Sequence, residues 1–452
     1  MKKLYPLSKN GLLISLEKSN INFICLHDIK NIDDICFIHD VGYGNFQFFS
    51  GRNENFSIDV ENISFNRSIN NNIFSINFLS EKIISLETSN GFLSSVPGVK
   101  NFISEECSDN EMFRLIDKEE LEKLSIISNC EVIINNNSPL IAKNITNKHI
   151  EFEGFSIDLD SFFSGFIKNS MQFVFFEKNF PHLATIINPL FVYVVFGIND
   201  IIKQFIISLH SLYNFGKYRG EITIITNLNE IIINTICSKY NFKKINIINY
   251  FAKDNLDYVG ARINFLSSRD NLYYRPIFYL DTDVLIIKDI SEIIHVCAKN
   301  EKISAQIESD SKFKHKNSVG GTLFKESPFN IDDVNGFNAG VIMVPCHDKF
   351  KNIFNISHIM MKKYTQKNGR DSIPFYDQSV LNYVIYKFNC FDESPMTKFV
   401  RNSWEGENKN ALFVHFWPNK EKRTQDMAFY ITSRSAEYKS MSNNLSYIDT
   451  LS

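Results

Sequence analysis

The chain has 452 residues, of which 44% are hydrophobic and 22% are charged, a composition typical of a folded globular protein and not of a disordered one. One hydrophobic core rarely grows to this length, so two domains are expected. The formal net charge of −3 provides no general attraction for nucleic acid, and we therefore expect no nucleic-acid partner.

The eight cysteines are widely spaced and include no CxxC pair, which argues against a disulfide framework and against a zinc site. We expect most of them to be buried thiols. No apolar run reaches the roughly 18 residues of a membrane-spanning helix, so no transmembrane span is predicted. Pro6, Lys9 and Gly11 interrupt the N-terminus before an apolar run develops, which is untypical of a signal peptide. A cytoplasmic location is expected, with a peripheral position at a membrane as the alternative.

Residues 1–160 contain short alternating apolar runs separated by Asn, Ser, Asp and Gly, a pattern that predicts an all-β domain with an accessory or binding role. The runs are Leu12–Leu16, Phe46–Phe49, Phe56–Val60, Phe74–Phe78, Ile83–Leu86 and Val132–Ile134.

One motif in this region occurs twice, because ISLEKSN at Ile14–Asn20 is followed 70 residues later by ISLETSN at Ile84–Asn90. Each copy precedes an aromatic strand, Asn45–Phe49 in the first case and Glu111–Leu115 in the second. This order of motifs resembles the repeat of fascin-type β-trefoil proteins, with an offset of 70 residues spanning two repeats of about 35. A β-trefoil is therefore one interpretation of the domain, and a β-sandwich is the other.

Two segments are predicted to lie outside the main domains. Residues 161–190 contain Pro181 and Pro189 and no clean period, so the connection between the domains is expected there, and its many phenylalanines suggest packing between the domains. Residues 431–452 are polar and are expected to form a frayed C-terminal tail.

In residues 191–430, strands alternate with helices of about 10–15 residues, which predicts an α/β domain with a mostly parallel, doubly wound sheet. Ligands of such sheets bind at the carboxyl ends of the strands. The predicted strands are Phe191–Phe196, Ile222–Thr226, Lys244–Ile248 and Ile277–Leu280, and the predicted helices are Asp200–Phe215, Leu228–Tyr240 and Tyr258–Ser268.

The segment with the clearest chemistry is Pro276–Ile290, in which Asp281 and Asp283 follow an apolar strand. Carboxylates at this position are costly unless something compensates their charge, and a divalent cation such as Mg²⁺ or Mn²⁺ does so while keeping positions open for phosphate oxygens. A D-x-D pair alone more often marks a solvated turn, so the surrounding motifs decide between the two interpretations.

Three more motifs follow in order, a Gly-rich turn leading into an apolar strand at Gly336–Val344, a helix start at Tyr376–Asn382, and a strand ending in a histidine at Leu412–Lys420. The series YLDTDVLI, FNAGVIMV, YDQSVLN and VHF resembles the retaining glycosyltransferases of family 8, which have the GT-A fold and are related to glycogenin and to bacterial lipopolysaccharide galactosyl- and glucosyltransferases. The resemblance covers about half of the chain and does not reach the N-terminal half.

The resemblance implies a metal site, Mn²⁺ being usual in the family and Mg²⁺ the alternative, with Asp283 and His415 as ligands. Asp281 would share the metal and the donor ribose. The metal would bridge the diphosphate of a nucleotide-sugar, with UDP-sugar as the expected donor, and neutralise the leaving group. The acceptor would be a saccharide, a lipid-linked saccharide or a protein.

The resemblance also assigns residues to the donor. Asn338 and the backbone of Gly340 would approach the transferred sugar, and Asp377 and Gln378 would hold its hydroxyl groups beside the anomeric carbon. The remaining donor contacts are a set that the family places near the uracil, ribose and phosphates: Gly197, Asn199, Asp200 and Arg262.

One departure from the family follows His415, where the usual H-x-x-G-x-x-K-P-W is replaced by HFWPNKEKR and Glu421 stands at the expected lysine position. Lys420 or Lys422 would then have to provide the phosphate contact.

Structural roles compete with these functional ones. Asn338 and Gly340 could only shape a turn, Asp377 could only cap a helix, and His415 could be a structural histidine. Arg269 and Arg275 compete with Arg262 as the basic residue upstream of the D-x-D pair.

Two other functions remain open from the sequence. A metal-dependent phosphohydrolase would use the same aspartates but would leave the later motifs unexplained. A catalytically inactive carbohydrate- or nucleotide-binding protein, with a lectin-like β domain, would explain the altered lysine region.

Overall fold

A computed structural model of the chain divides into two compact units, residues 1–167 with 172–186, and residues 168–171 with 187–452. The structure describes residues 3–433 except for gaps at 18–19, 30–31, 33–34, 43–44, 50–56, 60–63, 67–74, 89–90, 96–102, 136, 198, 254, 268–272, 313–315, 326 and 328–333. The predicted tail at 431–452 therefore lies almost wholly outside the described residues.

The first unit begins with twelve antiparallel strands. They are β1 Lys3–Ser8, β2 Leu12–Glu17, β3 Asn20–Cys25, β4 Phe37–Gly42, β5 Asn45–Phe49, β6 Ser57–Asp59, β7 Ser64–Asn66, β8 Ser75–Phe78, β9 Ile83–Thr88, β10 Gly91–Leu93, β11 Ile103–Ser104 and β12 Met112–Asp117. β1 pairs with both β12 and β4, β4 pairs with β5, and β9 pairs with both β8 and β12. Three hairpins, β2–β3, β6–β7 and β10–β11, accompany these pairs.

The two copies of the repeated sequence motif lie in strands with different neighbours. The first copy includes residues 14–17 of β2, which pairs with β1 and β3. The second copy includes residues 84–88 of β9, which pairs with β8, β10 and β12. Ile14 and Ile84 are both fully buried and belong to one apolar cluster with Phe113. Both copies therefore contribute to one core, but from strands that are not equivalent, so the 70-residue offset does not match a structural repeat.

The rest of the first unit is not all-β. Its elements are α1 Lys118–Ile127, β13 Glu131–Ile134, β14 Leu140–Ile141, β15 Asn144–Ile145, β16 His149–Phe152, β17 Phe155–Asp158, α2 Leu159–Gly165, β18 Phe166–Ile167, β19 Gln172–Glu177 and β20 Phe180–Ile187. Asp117 starts α1 through a capping box, accepting from the backbone N–H of Glu120 at 2.8 Å. The prediction of an all-β domain over 1–160 missed α1, although Leu121, Leu124 and Ile127 recur at helical spacing behind the capping box.

The segment 161–190 is folded structure, and the expectation of a simple connection there needs correction. β18, β19 and β20 join β13 and β14 in a five-stranded sheet of order β14-β13-β20-β19-β18, while β15, β16 and β17 form a separate sheet. Phe162 and Phe173 pack edge to face at 5.1 Å between ring centroids, and Phe175 stands beside Phe173. Phe162, Phe173 and Phe175 thus belong to the core of the first unit, whereas Phe176 and Phe180 of the same segment are exposed.

The second unit contains a six-stranded sheet of order β23-β22-β21-β24-β27-β26 and a three-stranded sheet of order β25-β29-β28. The strands are β21 Leu190–Val195, β22 Glu221–Thr226, β23 Lys244–Asn249, β24 Ile277–Leu280, β25 Val284–Ile286, β26 Ser304–Lys312, β27 Asn335–Val344, β28 Val400–Asn402 and β29 Phe413–His415. β21 to β24 are parallel, and β26 and β27 are antiparallel. The mostly parallel sheet expected from the sequence is therefore present.

Helices connect these strands. They are α3 Asn199–Asn214, α4 Glu230–Cys237, α5 Asn255–Ser267, α6 Ser291–Lys299, α7 Gly321–Lys325, α8 His347–Asn368, α9 Tyr376–Lys387, α10 Ser394–Phe399 and α11 Arg423–Thr432. α3 buries Phe205, Leu209 and Leu212, which recur at helical spacing on one face. In the described ranges, no helix is both long and apolar enough to cross a membrane.

Arg275 has a structural role, although the sequence made it a competitor for the donor site. Its side chain is fully buried and donates to the carbonyl oxygens of Ala298 and Ser170, each at 2.6 Å, and to Glu301 Oε1 at 2.7 Å. These bonds tie the segment 168–171 to the second unit. Arg269, the other competitor, lies outside the described residues.

We expect Arg275→Met to lower the free energy of unfolding of the second unit by about 3 kcal/mol, because buried carbonyl groups would lose their donor. Urea denaturation followed by tryptophan fluorescence measures this unit, since Trp404 and Trp417 both belong to it. Lys349→Met is the matched control, because Lys349 binds the same Glu301 from a partly exposed position and should cost only about 0.5 kcal/mol. Equal losses in the two variants would contradict this role.

Candidate active site

Asp281, Asp283 and His415 come together at the carboxyl end of β24. Asp281 follows β24 directly, and Asp283 immediately precedes β25. β25 pairs with β29 so that Val284 faces His415, and the Phe416 N–H donates to the Asp283 carbonyl at 2.9 Å. One ligand atom from each of the three side chains lies within 4.8 Å of the other two.

The chemistry of this group fits a divalent cation. Asp283 Oδ1 and both ring nitrogens of His415 are buried, and within the described part of the chain none of them makes a hydrogen bond. The contact nearest to one is His415 Nε2 to Asp283 Oδ1 at 3.3 Å. Buried polar atoms without partners are rare in native proteins, and a cation held by two carboxylates and an imidazole would satisfy all three residues.

The absence of a side chain at Gly340 leaves space for the imidazole ring of His415. Gly340 lies in β27, and its backbone carbonyl accepts from the Asp281 N–H at 2.8 Å. A Cβ atom at this position would stand 2.3 Å from His415 Cε1, so only glycine leaves room for the imidazole. The glycine is therefore required by the close approach of the histidine and not by a turn.

Two arginines flank the aspartates. Arg423 Nη1 lies 2.8 Å from Asp283 Oδ2, and Arg262 Nη1 lies 3.5 Å from Asp281 Oδ1. Burial would raise the pKa of Asp283, but the charges of His415 and Arg423 outweigh it and hold that pKa below its ordinary value. Burial likewise would lower the pKa of His415, and the Asp283 carboxylate raises it above its ordinary value instead. For Asp281, burial dominates and raises the pKa, although Arg262 opposes the rise.

Arg262 also connects Asp281 to Asp377. Its Nε donates to Asp377 Oδ2, and its Nη1 donates to the Ala339 carbonyl at 2.5 Å. Asp377 is buried in the first turn of α9, and the residue at the N-cap of that helix is Phe375. The alternative that Asp377 only caps the helix is therefore wrong.

Asn338, within β27, and Gln378, from α9, both accept hydrogen bonds from the backbone of β27. Asn338 Oδ1 accepts from the Gly340 N–H at 2.8 Å, and Gln378 Oε1 accepts from the Ala339 N–H at 3.0 Å. The segment Asn335–Val344 is a single strand, so the predicted Gly-rich turn at its start is wrong. These side chains line the strand that carries Gly340 past His415.

The residues assigned to the nucleotide lie at the end of β21. Gly197 is exposed, and its N–H donates to Asn227 Oδ1 at 3.2 Å. Asn199 and Asp200 begin α3 and are exposed. Because β21 is parallel to β24, these residues share the carboxyl edge of the sheet with Asp281.

The sequence prediction missed two residues of the site. Lys420 and Lys422 are exposed, and the basic side chain that reaches Asp283 is Arg423, at the start of α11. The signal was available as the last residue of the basic run NKEKR. Tyr279, whose hydroxyl donates to Asp281 Oδ1 at 2.6 Å, had no signal because it lies within a continuous apolar strand.

We expect Gly340→Ala to weaken Mn²⁺ binding about 10- to 100-fold, because the added methyl group displaces His415 from the aspartates. Titration of the protein with Mn²⁺, followed by the EPR signal of the free ion, measures this. Gly406→Ala is the matched control, since a Cβ there meets nothing within 4 Å. Wild-type Mn²⁺ affinity in Gly340→Ala would exclude His415 as a ligand.

Comparisons with known proteins were made for the whole chain. The structure search found a galactosyltransferase, LgtC, solved with donor and acceptor sugar analogs, at 13% identity and a TM-score of 0.37, covering 56% of this chain and 99% of that one. It also found the glycosyltransferase GlyE of Streptococcus pneumoniae at 16% identity and a TM-score of 0.32, covering 46% of this chain and 45% of that one. The search of curated proteins found no match.

The family comparison is more specific. The model for the family described as Glycosyl transferase family 8 matches residues 200–420, a range that contains the Asp281–Asp283–His415 group together with Arg262, Asn338 and Asp377. The C-terminal half of this chain accordingly belongs to glycosyltransferase family 8, has the GT-A fold of that family, and is a glycosyltransferase.

Proposed function

We propose that the protein is a metal-dependent, retaining glycosyltransferase that transfers a hexose from a UDP-sugar to a glycan, a lipid-linked saccharide or a protein. The observation that carries the proposal is the Asp281–Asp283–His415 group at the carboxyl edge of a family 8 domain, in which Asp283 and His415 are buried and Asp281 is half-buried. Retention and the uridine base are expectations that come with the family.

Asp283 and His415 would hold the cation, with Asp281 shared between the cation and the donor ribose. When bound, a Mn²⁺ or Mg²⁺ ion supplies Lewis-acid stabilisation of the leaving diphosphate. Arg262 keeps Asp281 and Asp377 at a fixed separation, because its guanidinium contacts both carboxylates. The buried ligands are thereby oriented before any substrate arrives.

Asp377 and Gln378 would orient the hydroxyl groups of the transferred sugar, and Asn338 with the Gly340 backbone would approach its ring. Their mutual hydrogen bonds around β27 support this role, since they fix the wall that the sugar would face. Asn199 and Asp200, with Gly197, would meet the uridine. The acceptor hydroxyl then attacks the anomeric carbon from the side of the departing phosphate, whose oxygen takes the proton, and no protein nucleophile is required.

Arg423 is the better candidate than Lys420 or Lys422 for the phosphate contact. Its guanidinium already lies against the Asp283 carboxylate, whereas both lysines are exposed. A guanidinium also matches two phosphate oxygens at once, which an ammonium group does not.

We also propose that residues 1–117 form a β-trefoil. Five of the six pairs of a ring made by β1, β4, β5, β8, β9 and β12 occur among the described strands, and three hairpins accompany them. An experimental structure in which β5 pairs with β8 would complete the ring, and a different partner for β5 would contradict it. The role of this domain does not follow from its fold.

The first test is release of UDP from a panel of UDP-sugars without any acceptor, with and without Mn²⁺. We expect slow, metal-dependent release from one sugar, and a loss of at least about 100-fold in Asp283→Asn, because the ligand charge is removed. Absence of release together with absence of metal-dependent UDP binding would contradict the proposal and favour a carbohydrate- or nucleotide-binding protein.

Arg423→Gln should raise the KM for the UDP-sugar by about tenfold through loss of a charged hydrogen bond to phosphate. In the absence of nucleotide the same variant should bind Mn²⁺ more tightly, because Asp283 no longer has a competing cation. Lys420→Gln and Lys422→Gln are the comparison variants. A larger rise of KM in either of them would assign the phosphate contact to that lysine.

A further inference from the structure

The chain contains only two tryptophans, and they form one exposed pair. Trp404 is 53% exposed and Trp417 is 43% exposed, and their rings meet edge to face with centroids 4.9 Å apart. The largest apolar side chains are normally buried or lie at an interface, so a solvent-facing pair points to a binding surface. We call Trp404 and Trp417 the tryptophan pair.

The tryptophan pair lies beside the metal group, Asp281, Asp283 and His415. β28 runs parallel to β29, with Asn402 opposite His415, and the Ser403 N–H donates to the His415 carbonyl at 2.9 Å. Trp404 and Trp417 each follow two residues after this pair of positions. The Cα atom of Trp417 is therefore within about 7 Å of the Cα atom of His415.

Local hydrogen bonds hold the Trp417 ring in position, and Trp404 packs against it. The Trp417 indole N–H donates to Asn402 Oδ1 at 3.1 Å, and the Asn402 amide donates to Glu405 Oε1 at 2.8 Å. The Asn402 N–H donates to Glu405 Oε2 at 2.9 Å, and Arg401 Nη1 donates to the Glu405 carbonyl at 2.9 Å. An aromatic surface fixed in this way loses little conformational entropy when a ligand binds.

Arg423 joins this surface to the metal group. Its Nη1 contacts Asp283, and its Nη2 donates to the Trp417 carbonyl oxygen. One side chain thus contacts both the backbone of Trp417 and a carboxylate that would hold the metal. The tryptophan pair and the Asp281–Asp283–His415 group are therefore neighbours.

We propose that the tryptophan pair binds a sugar ring of the acceptor, so that the acceptor is a saccharide or carries one next to its reacting hydroxyl. The C–H groups of a pyranose face are weakly positive and match the negative face of an indole ring. The donor has charged and polar partners in the buried residues Arg262 and Asp377, whereas the pair is uncharged and open to solvent. A second substrate that arrives from solution fits the exposed surface better than the donor does. This inference rests on the proposed transferase function, which it makes more specific.

Tryptophan fluorescence tests the inference directly, because every fluorophore of that kind in the chain belongs to the pair. The full-length protein, with Mn²⁺ and UDP present, is titrated with the methyl glycosides of glucose, galactose and N-acetylglucosamine and with lactose and cellobiose. We expect a saturable change of intensity or wavelength with at least one of them. UDP with Mn²⁺ alone should give a smaller change.

Trp404→Ala should raise the dissociation constant of that saccharide about tenfold, with Trp417 as the remaining reporter, and Trp404→Phe should restore most of the affinity. Recovery with phenylalanine separates loss of a ring surface from damage to the fold. Phe388→Ala, which removes another exposed ring of the same unit, is the control and should bind as the wild type does.

The outcomes separate the two proposals. Metal-dependent UDP release without any fluorescence response to saccharides would overturn the tryptophan pair as acceptor site and leave the transferase intact. A full response to UDP alone would place the uracil ring on the pair and overturn the inference as well. A saccharide response in a protein that neither releases nor binds UDP would retain the pair as a saccharide site and reject the transferase.

Discussion

The charge balance around two neighbouring carboxylates is the constraint on which the second unit depends. Asp281 and Asp283 end a fully buried strand, where isolated negative charges would be prohibitively costly. Arg262 on one side and Arg423 with His415 on the other offset that charge. Asp283 and His415 still have buried polar atoms without hydrogen bonds in the described part of the chain. A cation bound between these atoms would satisfy them.

The fold serves this balance by bringing distant segments to one edge. The parallel strands β21 to β24 end at the same edge of the large sheet. In the small sheet, β25 pairs with β29, which brings His415 from late in the chain to that edge. Gly340 allows β27 to pass against His415, and Asn338 and Gln378 hold that strand in place. His415 and Asn338 therefore belong to strands and Gln378 to a helix start. Asp281 and Asp283 lie in the connection between β24 and β25, and both tryptophans follow strand ends.

The first unit is built differently from the second, from short antiparallel strands. Its strands are short in the described residues, and Ile14 and Ile84 from the two sequence copies meet in one apolar cluster. Phe162, Phe173 and Phe175 form a further packed group in this unit, within the segment that shows no clean period in the sequence. Aromatic side chains occur in strands, in helices and on the surface, so their number in this segment predicted neither the secondary structure nor the exposure of Phe176 and Phe180.

Local patterns in the sequence determined the α/β class of the second unit and most of its site. The spacing of apolar residues predicts the alternation of strands and helices. The motifs around Asp281, Asn338, Asp377 and His415 are short enough to be recognised without a structure. Tertiary structure alone decided which charged side chains meet. Arg262 reaches Asp281 while Arg275 is buried elsewhere, Arg423 reaches Asp283 while Lys420 and Lys422 remain exposed, and two tryptophans of separate segments form one surface. The physical reason is that such contacts depend on how residues far apart in the chain pack together, which no local pattern encodes.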